Sequence, residues 1–148
     1  MKPTYFTNII LLSGIILMSI ACTSPKGDSG KGDITSSEWS LVSIKAKGNN
    51  NILTPPVNHT PVLSVSSDGT MSGTTGCNKF SGNVAVTGHT LQSGDIVTTR
   101  LVCSDAMEIE QAMIHTLHSA NNYTVENGNL LLKKDNEVLA TFKSIDKR

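Results

Sequence analysis

Aromatic side chains are scarce, with 1 Trp, 2 Tyr and 3 Phe in 148 residues, and Tyr5 and Phe6 stand at the extreme N-terminus. That leaves Trp39, Phe80, Tyr123 and Phe142 for a folded core, too few for a base-stacking platform. An excess of either charge is also missing: Lys+Arg 12 against Asp+Glu 12 gives a formal net charge of zero. No basic face is implied to neutralise phosphates, so nucleic acid is not an expected partner. The signature of disorder is absent too, because 38% of the residues are hydrophobic at zero net charge. The length fits one domain with a modest core, expected to be a monomer.

A long apolar run occurs once, over residues 9–21 (IILLSGIILMSIA). As a helix this segment rises only about 20 Å, short of the roughly 30 Å of a hydrocarbon core. Lys2 precedes it, and Ala21 and Cys22 end it, which is the order of a secretory signal. Residues 17–22 (LMSIAC) resemble the bacterial lipobox, with Ser19 where that pattern usually carries Leu. The resemblance implies a lipid on Cys22 and removal of residues 1–21. The competing reading, a buried apolar element ending in an ordinary Cys, fits the following polar stretch less well. Residues 22–37 are rich in Gly, Ser, Lys and Asp, with Ile34 the lone large apolar residue, and are expected to form a flexible tether. No Asp follows Cys22 directly, so the expected place is the cell envelope, anchored at the outer membrane of a Gram-negative bacterium.

Cysteine is rare, and its three copies sort themselves. With Cys22 taken by lipid, Cys77 and Cys103 remain as an even pair in an oxidising compartment. A bridge between them would close a loop of about 26 residues, worth about 3 kcal/mol in the chain-entropy model. Two buried free thiols, or a catalytic thiol paired with one of the 4 His residues, stay open as alternatives.

The stretch over residues 38–144 reads mainly as short strands. Alternation in residues 39–44 places Trp39, Leu41 and Ser43 on one face, with Val42 and Ile44 on the other. Residues 62–66 and 70–73 flank Ser67-Asp68-Gly69; residues 83–86 and 90–92 flank Thr87-Gly88-His89; residues 96–101 form a further β-branched run. Residues 123–125 and 130–132 flank an Asn127-Gly128 turn, and residues 138–142 close the series. Six to eight strands at this spacing predict a small antiparallel barrel or sandwich. Residues 104–119 differ. Ala106, Ile109, Ala112, Met113 and Leu117 recur near every 3.6 residues, predicting one helix capped by Ser104 or Asp105. Asp105, Glu108 and Glu110 suit the positive end of that helix better than a catalytic cluster. His115 and His118 stand i, i+3 without a third ligand in any motif, so no metal is expected.

Two phrases carry a specific likeness. Thr74-Thr75-Gly76-Cys77-Asn78-Lys79-Phe80-Ser81-Gly82 resembles the GCNRFSG signature of the META domain family, which includes the HslJ-like heat-shock lipoproteins. Thr98-Thr99-Arg100-Leu101-Val102-Cys103 is similar to its companion, TTRMAC. The likeness spans residues 36–144 in the family's order, with Lys79 for Arg and Leu101-Val102 for Met-Ala. It implies a β-barrel-like fold with one helix, no established catalytic residues, and a link to envelope stress and antibiotic tolerance.

No cofactor fingerprint is present: the Gly-rich phrase has neither the Gly-Lys-Ser/Thr nor the helix of a phosphate loop. Two functions are therefore weighed. One is a tethered, non-enzymatic module binding an envelope protein or an apolar molecule at the barrel mouth or a strand edge. The other is a thiol- or His-dependent envelope enzyme. For the first, the candidate surface is Gly76, Asn78, Lys79, Phe80, Thr98, Thr99 and Arg100, unless these residues only brace the core.

Overall fold

The computed structural model describes residues 32–145, together with Met1. Cys22, the rest of the signal-like segment and the tether up to residue 31 lie outside the described residues. Nine strands run β1 (Glu38–Lys45), β2 (Ile52–Leu53), β3 (Val62–Val65), β4 (Thr70–Thr74), β5 (Lys79–Thr87), β6 (Thr90–Thr98), β7 (Asn122–Glu126), β8 (Asn129–Lys134) and β9 (Glu137–Ile145). One helix, α1 (Met107–Ser119), stands between β6 and β7. The sheet order is β2-β1-β3-β4-β5-β6-β7-β8-β9, and β1 also pairs with β9. Eight strands thus close into an antiparallel ring, with β2 outside it. Among the described residues the class is mainly β, a barrel-like ring with a single α-helix.

Tight turns set the ring's register. Asn127 and Gly128 have φ of 50° and 75°, a turn whose twist matches the flanking strands and brings Glu126 opposite Asn129. At the β3–β4 turn, Asp68 accepts the Thr70 N–H at 2.9 Å. That backbone bond holds the exposed Asp68 carboxyl below its usual range. The weakest seam is β6–β7, a single pair between Thr90 and Asn122. There α1 adds a tie, Ser93 Oγ donating to the Leu117 carbonyl at 2.6 Å, and just past the helix Leu91 N–H donates to the Asn121 carbonyl at 2.9 Å. Met113 and Leu117 enter the same core as Trp39, Leu63, Leu130 and Phe142. Packing leaves a void of only about 10 Å³, room for one water at most. A ligand inside the ring, as a barrel mouth would allow, has no space.

Four local expectations are corrected by the structure. Residues 32–37 are part of the fold rather than of the tether. Asp33 caps a 3-10 turn over Ile34–Ser36, Gly32 N–H donates to the Val125 carbonyl, and Ile34 is 1% exposed. Trp39 Nε1 donates to the Ile34 carbonyl at 2.7 Å, tying the turn to the core. In β1 the register against β9 shifts between Leu41 and Ser43, and this bulge turns Val42 outward and Ile44 inward beside Trp39 and Leu41. Residues 90–98 form one strand, because the shift between Gly82 and Val84 absorbs Gly94 and Asp95 without ending the pairing. Finally, α1 starts at Met107 behind Ala106, which makes no side-chain cap; Ala106 N–H closes a turn onto the Cys103 carbonyl. Asp105 points instead to His59.

Candidate functional site

The loop between β4 and β5 folds on itself. Thr75 donates its N–H and Oγ1 to the Asn78 carbonyl, at 2.7 and 3.1 Å, and its Oγ1 accepts the Asn78 N–H at 3.1 Å. Gly76 sits at the tip with φ of 99°, and a Cβ there would run into the His59 carbonyl. His59 joins three segments: Nδ1 lies 2.9 Å from the Gly76 carbonyl and Nε2 lies 3.0 Å from Asp105 Oδ2.

Asn78 is the hub of this region and is 2% exposed. Its Nδ2 donates to the Leu101 carbonyl at 3.0 Å and to Glu110 Oε1 at 2.8 Å. Its Oδ1 accepts from Thr99 Oγ1 and from the Leu101 N–H, both at 2.7 Å. The reversed amide would set oxygen against two acceptors and nitrogen against a backbone donor, so only this orientation satisfies the network. One side chain therefore takes both backbone groups of Leu101 and also reaches α1. Thr99 adds a second tie, accepting the Lys79 N–H at 3.1 Å and donating its own to the Lys79 carbonyl at 3.0 Å. Cys77 and Cys103 close the region with a disulfide whose Cα atoms are 6.1 Å apart.

The seven candidate surface residues are thus brought together, but mostly facing each other. Gly76, Asn78 and Thr99 are engaged in the brace, Phe80 is 3% exposed in the core, and Thr98 is half-buried opposite it. Lys79, Thr99 and Arg100 are exposed, Thr99 while its hydroxyl and backbone still hold the brace. What the brace presents is the chain just beyond it: Leu101 is 65% and Val102 86% exposed. With Cys103 they form one wall of a groove of about 470 Å³, and Met107 and Ile114 of α1 line the other. Lys47, His115 and His118 also line it. The sequence reading missed this groove. Its signal was there in Met107 and Ile114, apolar residues that fall off the stripe α1 turns to the core. Among the described residues no group of three or more His, Cys, Asp and Glu is placed to hold a metal ion. Tyr123, whose phenol burial pushes above its usual range, lies in the core away from the groove.

Comparison with protein families is decisive at this point, because a model for the META domain matches residues 32–146. The chain belongs to the META domain family. The match opens at residue 32, where the continuous run of described residues also begins. Among solved structures, one similar chain is a protein from Burkholderia xenovorans determined by NMR, at 24% identity and a TM-score of 0.64. The likeness covers 77% of this chain and 85% of that one. A DUF4847 family protein from Bacteroides vulgatus matches at 18% identity with a TM-score of 0.54, over 78% of this chain and 96% of that one. At these identities the likeness to the META domain here is one of fold. Comparison with curated proteins returns no match.

Proposed function

We propose that this protein is a lipid-anchored envelope lipoprotein whose META domain is a non-enzymatic binding module, acting in envelope stress or antibiotic tolerance. The observation that carries this reading is the brace. Asn78, Thr99 and the Cys77–Cys103 bridge are fully used in holding exposed apolar chain beside α1. A fold that fixes Leu101 and Val102 in water is arranged for contact rather than for stability. The bridge also occupies both thiols that a thiol-dependent enzyme would need. The short apolar run ending at Ala21-Cys22 supports anchorage, and the absence of Asp after Cys22 supports the outer membrane.

Anchorage is testable by labelling cells with an alkyne-tagged fatty acid, comparing wild type with Cys22→Ser. The expected outcome is label on wild type alone, with Cys22→Ser lost from the membrane fraction and unable to restore a deletion strain's drug tolerance. Equal labelling of both proteins would overturn the reading.

A further inference from the structure

The groove beside the disulfide has a direction. Met107, Gln111, Ile114 and His118 recur at i, i+4, i+7 and i+11, so its α1 wall is one helical stripe about 16 Å long. The stripe is apolar where it faces Leu101 and Val102, and it ends on His118. His115 lines both this groove and a neighbouring cleft walled by Ala46, Gly48, Asn49 and Asn50. The β1–β2 turn that carries Lys47 therefore sits at the His end. Lys47 is exposed and makes no ion pair among the described residues, whereas Lys45 is paired with Glu137. The one carboxylate in the lining, Glu110, belongs to the apolar half and is bound to Asn78 Nδ2. Lys47, the one Lys or Arg in the lining, thus stands at the His end of a trough whose other end is mainly apolar, with Glu110 and Gln111 among its side chains, and its volume falls in the ~300–1,000 Å³ range of small-molecule sites.

We propose that this groove takes a single-chain amphiphile with an apolar tail and an anionic head, of the long-chain carboxylate class. The proposal rests on the binding-module reading above and supplies its ligand. The tail lies along Met107 and Ile114 under Leu101 and Val102, and the head meets the Lys47 ammonium. The C-terminal carbonyls of α1 present about half a negative charge at that end, so a full charge on Lys47 must outweigh them. Lys47 is accordingly the residue on which head-group preference depends.

The test uses the full chain in nanodiscs of uncharged lipid, with three diazirine-bearing probes of equal chain length: a carboxylate, an alcohol and a trimethylammonium. Adducts are mapped by mass spectrometry. The expected result is carboxylate adducts on residues 101–118, in preference to the trimethylammonium. In Lys47→Glu the carboxylate adducts fall about tenfold, equivalent to about 1.4 kcal/mol, while alcohol adducts change less than twofold. In Leu101→Asp/Val102→Asp, at unchanged melting temperature, all groove adducts are lost. Equal labelling by carboxylate and trimethylammonium, or carboxylate labelling indifferent to Lys47→Glu, would overturn the anionic head while leaving an apolar binding module in place. Labelling unchanged in Leu101→Asp/Val102→Asp would overturn the groove as the site and assign the adducts to partition into the disc.

Discussion

Asn78 makes four side-chain hydrogen bonds at 2% exposure, and each partner is itself fixed: a hydroxyl, two backbone groups and a carboxylate. Removing such a hub leaves several of them without a partner in a site that water reaches poorly. Asn78→Ala should therefore cost about 2–4 kcal/mol, read as a lowered denaturation midpoint. Asn78→Asp, nearly the same shape, should be at least as damaging at neutral pH, because it sets a carboxylate oxygen against the Leu101 carbonyl and Glu110. Tyr123 gives a pH signature at the same scale. Burial raises its pKa above 10.0 in the folded state, so the unfolded chain ionises first as pH rises. Its contribution is complete below pH 10 and lost as pH climbs through the folded value. Stability profiles should show an alkaline decline that is shallower in Tyr123→Phe. The importance of Asn78 was half visible in the sequence. An Asn in a Gly-rich loop reads as a turn former, but its reach to Thr99, Leu101 and Glu110 spans separations of 21, 23 and 32 residues that no local pattern encodes.

At the level of elements, the hairpins were the most legible, because their turn residues carry their own geometry. Asn127-Gly128 sets the β7–β8 register, and Ser67-Asp68-Gly69 stands between β3 and β4. What alternation misjudged were the two bulges. Ile44 changes face because β1 gains a residue against β9, and β6 survives Gly94-Asp95 because β5 and β6 slip past each other there. A bulge is decided by the partner strand, so the sequence of one strand does not reveal it. The start of α1 was misplaced for a related reason. Asp105 looks like a cap in isolation, yet its carboxylate is taken by His59. The disulfide ties the two motif segments at this scale, and Cys77→Ser and Cys103→Ser should each destabilise by about 2–5 kcal/mol. The double substitution should cost little more than either single one, since both remove the same bond. Clearly additive losses in chemical denaturation would mean that each side chain contributes separately.

For the molecule as a whole, closure of the ring decides where function has to be. Eight strands and α1 leave an interior void of about 10 Å³, so the recognition proposed above falls to the outside. There the brace sets Leu101 and Val102 against α1, while Lys79 and Arg100 stand on the nearby surface. Those two cations are prominent in the sequence, and the groove is not, because it exists only once residues 101–103, the disulfide and the outer stripe of α1 are assembled. As proposed above, the motif residues are a brace and the groove beside them is the working surface. The most direct test is restoration of drug tolerance in a deletion strain by full-length variants matched for abundance and melting temperature. Lys79→Ala/Arg100→Ala is expected to restore tolerance as wild type does, and Val102→Asp is not; full restoration by Val102→Asp, or failure of the double Ala variant, would overturn that assignment.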